Sequence, residues 1–241
     1  MKRNIFIFIA ILAVSLITIS IPSQSMALTD AQEEKYREAR ILLKEGKTSE
    51  AKNIFTALSL EESSDPRIRL GLIDTTIGEA VILRAGNQST WKYKIQEAFI
   101  QLKGMHRANI AFPDMYLSFA KCYAMNDRLR KSKKSLAKAF YYKPDYIEAF
   151  IVQGDIYSDR SKEETETSNA KNTAKDSYKA AIAMSDTDQY TQAMLSYKLG
   201  DLDLYHGKKE TGIKNLNKAI ELSSDSYWAD KSRQRIMEAS R

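Results

Sequence analysis

At 241 residues the chain has room for one extended domain or two small ones. Its 9 Gly and 4 Pro are too few for a fold of many short strands and turns, which points to long helices. The formal net charge of +6 falls to 35 basic against 31 acidic residues once Lys2 and Arg3 are set aside, too small a bias for a nucleic-acid binder.

Lys2 and Arg3 form a short positive region, and Ile5 to Ile21 is an apolar run relieved only by Ser15, Thr18 and Ser20. Pro22 breaks the run, and Ser25-Met26-Ala27 offers the small-x-small pattern read by a signal peptidase. Residues 1–27 are therefore expected to be a secretory signal peptide cleaved after Ala27, leaving the body exported and periplasmic. No cysteine lies near that site, so lipoprotein modification is excluded. The alternative is an uncleaved inner-membrane signal anchor, which also leaves the body outside the cytoplasm.

Thr29-Asp30 predicts a cap for a helix over about 31–45, with Tyr36, Ala39, Leu42 and Leu43 on one stripe. Gly46 ends it, and Thr48-Ser49-Glu50 opens a second helix carrying Ala51, Ile54, Phe55 and Leu58. From Pro66 to Phe112 two longer helices follow. Leu70, Ile73, Ile77, Ala80-Val81 and Leu83-Arg84 mark the first, and Ile95, Ala98-Phe99, Leu102 and Met105 the second. Gly86 to Ser89 turns between them, with Ser89 expected as the cap.

Tyr116 to Pro144 is the most regular stretch, with Tyr116, Phe119-Ala120 and Tyr123 on one helix and Ser132, Leu136 and Ala139 on the next. Phe150, Gln153-Gly154 and Tyr157 repeat its first half, Gly154 falling 34 residues after Ala120. Ala174, Tyr178 and Ala181 then arrive late. The polar insertion within 158–173 is expected to be a solvated loop or an extension of the flanking helices. Leu199-Gly200, Gly207, Gly212, Leu216 and Ala219-Ile220 repeat the pattern once more. Tyr227-Trp228-Ala229 and Ile236-Met237 suit a terminal capping helix.

Tyr116–Pro144 resembles a tetratricopeptide repeat (TPR), with Tyr116 in place of the usual Trp and Phe119-Ala120 in place of Leu-Gly. In the last copy Ser196 and Asp203 stand where Trp and Tyr are usual. The resemblance implies an all-α fold, an α-solenoid of about five helix-turn-helix units. The expected units are 31–65, 66–112, 113–145, 146–186 and 187–225, with a cap helix over 226–241. It further implies a concave groove lined by the first helix of each pair. The residues expected there are Tyr36, Arg40 and Lys44 from unit one, and Leu117, Lys121 and Met125 from unit three. Ile151 and Asp155 join them from unit four, and Tyr197, Asp201 and Tyr205 from unit five. TPR domains that grip carboxylate-ended chaperone tails use Lys and Asn at matching places, and this set does not reproduce that clamp.

Candidates for chemistry are few. Cys122 sits between Ala120 and Tyr123 on the packed side of a helix, so a buried, inert thiol is expected. His106 and His206 stand alone, and no zinc or haem motif accompanies them. Glu61-Glu62-Ser63-Ser64 reads as a polar linker. No nucleophile–base pairing can be drawn, so neither catalysis nor a metal or other cofactor is expected. The expected function is a non-catalytic adaptor that binds a partner protein or peptide in the groove. A module for envelope glycan or lipid is the alternative. Arg128, Arg130, Lys131, Lys133, Lys134 and Lys138 form a basic face on a second helix, expected on the convex side. Membrane association is expected only through that face or an uncleaved leader.

Overall fold

The computed structural model describes residues 28–61, 64–162, 167–184 and 187–241; the leader segment 1–27 lies outside them. Eleven helices and no strands occur among the described residues. They are α1 (Asp30–Lys44), α2 (Thr48–Leu60), α3 (Pro66–Ala85), α4 (Trp91–Arg107), α5 (Pro113–Met125), α6 (Leu129–Tyr142), α7 (Ile147–Ser161), α8 (Thr167–Ala183), α9 (Gln189–Tyr205), α10 (Lys209–Leu222) and α11 (Tyr227–Ser240). Consecutive helices pack as pairs, α1 on α2 through α9 on α10. Successive pairs join through α1–α3, α3–α5 and α5–α7 contacts and then through α8–α9. The chain is thus a stack of antiparallel pairs ending on α11, an α-solenoid.

Local chemistry sets the helix starts. Thr29 and Gln32 form a reciprocal capping box at α1. Asp65 caps α3 ahead of Pro66, whose fixed φ suits a first helical position. Asp188 caps α9 and Ser226 caps α11. Ser89 is not the cap of α4: the helix starts two residues later, at Trp91, and Thr90 in front of it makes no side-chain cap. The turn takes the extra residues because its form is fixed from the other end, by the close of α3.

That closing form recurs in four of the pairs. The second residue past the first helix is left-handed: Gly46 (φ 76°), Asn87 (55°), Asp127 (55°) and Gly207 (73°). The next residue sends its N–H back to a carbonyl of the last turn, Lys47 to Leu42, Gln88 to Leu83, Arg128 to Tyr123 and Lys208 to Asp203, at 2.8–2.9 Å. Only Gly, Asn and Asp occupy these positions, the residue types that tolerate the conformation.

Packing within the pairs follows the large-into-small rule. Gly154 in α7 faces the ring of buried Tyr178 in α8, and a Cβ at 154 would overlap that ring. In unit five the tyrosine place is filled by Asp203, only 1% exposed, which is paired with Lys175 from α8 and accepts from Asn215 in α10. A buried carboxylate there is tolerable because a cation and an amide replace its water. The polar insertion lengthens both flanking helices, α7 reaching Ser161 and α8 beginning at Thr167. Cys122 is fully buried, and burial pushes its thiol up to about 12. The cap helix buries Trp228, Ala229 and Ser232 against α9 and α10.

Candidate functional site

Side chains from α1, α3, α5, α7 and α9, with Thr48 from α2 and Tyr178 from α8, surround one cavity of about 500 Å³ on the inner face of the stack. Nine of the eleven residues expected in the groove line it: Arg40, Lys44, Leu117, Lys121, Met125, Ile151, Asp155, Tyr197 and Asp201. Tyr36 and Tyr205 do not. Tyr36 turns into the first pair, its ring 5.7 Å edge-on from Phe55 and beneath the Arg67 guanidinium at 5.1 Å, and burial pushes its hydroxyl up to about 12. Tyr205 lies at the very end of α9, half exposed, donating to the Lys162 carbonyl at 3.2 Å and packing on His206.

Leu117, Met125 and Ile151 line the cavity yet are only 4–8% exposed, so they form its floor rather than free anchors. The exposed apolar contribution comes from Val81 (52%) and Ile82 (55%) on α3, which the repeat pattern did not nominate. A signal for them existed. Ala80-Val81-Ile82-Leu83 is apolar on every side of the helix, more than one packed face can cover.

Several charges of the lining are paired in advance. Arg40 Nη1 lies 2.6 Å from Asp74 Oδ2, and Ser118 Oγ donates to Asp74 Oδ1 at 2.5 Å, tying α1, α3 and α5 together. Burial works against the Arg40 charge, but Asp74 outweighs it and raises the guanidinium pKa above its usual value. On the opposite wall, Asp155 accepts from Tyr178 at 2.8 Å and from Lys198 at 2.7 Å. Burial and the neighbouring Asp155 charge raise the carboxyl of Asp159, one turn further on. Asp201 is drawn toward the cap helix, where Arg235 donates to it at 2.7 Å. Arg40–Asp74, Glu33–Arg67 and Asp201–Arg235 are each 34 residues apart, so equivalent positions of successive units carry opposite charges.

The ends of the stack also meet. Tyr190 at the start of α9 donates to Glu45 Oε1 at 2.6 Å, across 145 residues of sequence. Lys47 completes this clasp, 2.7 Å from the other Glu45 oxygen and 5.5 Å from the centre of the Tyr227 ring. The inner face is therefore bounded by side-chain contacts between the first and fifth units.

The basic residues fall elsewhere. Arg128 precedes α6, and Arg130, Lys131, Lys133, Lys134 and Lys138 are exposed along it. Lys133 leans on Tyr157 of α7, while Lys131, Lys134 and Lys138 face a second, outer cleft toward α4. Among the described residues, no group of three or more His, Cys, Asp or Glu side chains is placed to hold a metal, and no helix is long and apolar enough to cross a membrane.

No family model and no curated protein matches the chain. Among solved structures it is similar to a thermophilic TPR protein of Thermus thermophilus, at 18% identity and a TM-score of 0.60, over 86% of this chain and 98% of that one. Likeness over almost the whole of both chains fixes the architecture: this chain has a TPR-like fold, an α-solenoid of helix-turn-helix repeats.

Proposed function

We propose that this protein is a non-catalytic adaptor of the bacterial cell envelope that holds a partner protein in the cavity of its inner face. The observation that carries this reading is the convergence of all five first helices on one cavity with Val81 and Ile82 exposed inside it. An apolar pair flanked by the Arg40–Asp74, Lys198–Asp155 and Asp201–Arg235 pairs suits a protein segment bound by buried side chains. The envelope assignment rests on the leader sequence of residues 1–27.

The size of the cavity and the Tyr190–Glu45 clasp favour a short segment of the partner over a long helix. They also support a second reading, a compact envelope ligand such as a glycan or lipid. Crosslinking in envelope extract separates the two. An adaptor yields a protein adduct that a Val81→Asp, Ile82→Asp double variant loses. A ligand module yields no such adduct and instead binds defined glycans or lipids in the absence of protein.

A further inference from the structure

We infer that the outer cleft between α4 and α6 is a docking site for the headgroups of an anionic phospholipid surface. The cleft, about 360 Å³, is lined by His106 of α4, by Tyr116, Phe119 and Tyr123 of α5, and by Lys131, Lys134, Ser135 and Lys138 of α6. No carboxylate lines it, and none of the three lysines forms an ion pair among the described residues. Lys131 lies over the Tyr123 ring at 5.8 Å and Lys138 over the Tyr116 ring at 5.2 Å. Lys103 of α4 sits over Phe99 on the other side, 4.6 Å from its centre. The rings thus hold the ammonium groups at the rim without neutralising them, which leaves them free for an anion.

The aromatic residues distinguish a membrane from other polyanions. A nucleic-acid strand needs open ring faces on which bases stack. Here Tyr116 and Phe119 are 5% and 8% exposed, and Tyr116 is covered on its faces by Lys138 and by the parallel ring of Tyr142 at 5.5 Å. The open rings lie beyond the lining of the cleft, at its end, where Tyr141 is 83% and Tyr142 53% exposed, so no base could stack between the lysines. Tyrosines beside unpaired lysines are the arrangement that settles at the headgroup level of a bilayer.

Titrating the full chain with vesicles tests the proposal, comparing phosphatidylcholine alone with phosphatidylcholine containing phosphatidylglycerol. Any contribution of the apolar leader is common to wild type and variants. Stronger partitioning onto the phosphatidylglycerol vesicles is expected, weakening as salt is added. Each surface lysine contributes roughly fivefold to such binding, so Lys131→Gln, Lys134→Gln and Lys138→Gln together should lower it about a hundredfold. Binding to neutral vesicles and the helical circular dichroism spectrum should not change. Tyr141→Ser with Tyr142→Ser should give a smaller loss with the same salt dependence. Equal binding to both vesicle types would overturn the proposal, as would an unaffected triple-lysine variant. Displacement from the vesicles by glycerol phosphate at matched ionic strength would overturn it too, in favour of a soluble phosphate ligand.

Discussion

On the inner face Arg40 is held by Asp74, Lys198 by Asp155 and Asp201 by Arg235, whereas on α6 Lys131, Lys134 and Lys138 meet no carboxylate among the described residues. The same residue types therefore do different work on the two sides. These paired inner charges bind neighbouring units to one another, and a ligand that used them would first have to break the pairs, of which Arg40–Asp74 is the most buried. The exposed apolar side chains, Val81 and Ile82, can supply inner-face affinity without breaking any such pair. Outer charges contribute little to the fold, because they are solvated and screened, and are available to an outside anion.

The largest expected effect of breaking this contrast is at Arg40. Arg40→Ala leaves the Asp74 carboxylate nearly buried and without its cation, and should lower unfolding stability by about 3 kcal/mol in urea titration. Lys134→Ala should stay within about 0.5 kcal/mol of wild type. Equal losses for the two would erase the distinction between the faces. Next comes Gly154→Ala, whose added methyl overlaps the Tyr178 ring in the cavity wall and should cost about 2 kcal/mol by the same titration. Tyr190→Phe removes the clasp hydroxyl from Glu45 and should cost about 1 kcal/mol. Its loss should appear as faster amide hydrogen exchange in the turn at residues 45–48, with the rest of the chain unchanged.

The smallest effect concerns a junction on α3 away from the cavity. Burial pushes the Glu79 carboxyl up, but hydrogen bonds from Lys52 and Lys94 outweigh this and hold it below the usual carboxylate range. With the folded value below the unfolded one, its contribution is complete above about pH 4.3 and is lost as pH falls below that. Glu79→Gln should flatten the acid limb of the stability curve slightly. A limb identical to wild type would remove Glu79 from that account.

Much of the fold was legible because the repeat states its requirements in residue type. Gly46, Asn87 and Gly207 announce left-handed turns, and Pro66 and Pro113 announce helix starts. The start of α4 was less legible, since Ser89 and Thr90 are equally good caps in composition and neither closes the helix with its side chain. The inner face followed from register: residues four apart on the first helices, such as Leu117, Lys121 and Met125, share one side. Register does not say how far a neighbouring unit covers a position. For that reason Leu117 proved to be floor, and Tyr36 proved to pack half-buried against the core of the first pair. Val81 and Ile82 escaped because the second pair departs most from the repeat spacing. The outer cleft escaped because it depends on α4 and α6 standing apart above α5, a tertiary spacing that no single helix records.

Site-specific photo-crosslinking is the most direct test of the central claim that the inner face is where a protein partner sits. A crosslinker placed at Val81 or Ile82 and, separately, at the exposed Ala137 on the outer side of α6 would be activated in envelope extract, and the adducts compared by mass. The account predicts one protein adduct shared by the two inner positions, absent from the outer one and diminished by Tyr197→Ala. An adduct that forms at Ala137 and not at Val81 or Ile82 would contradict it.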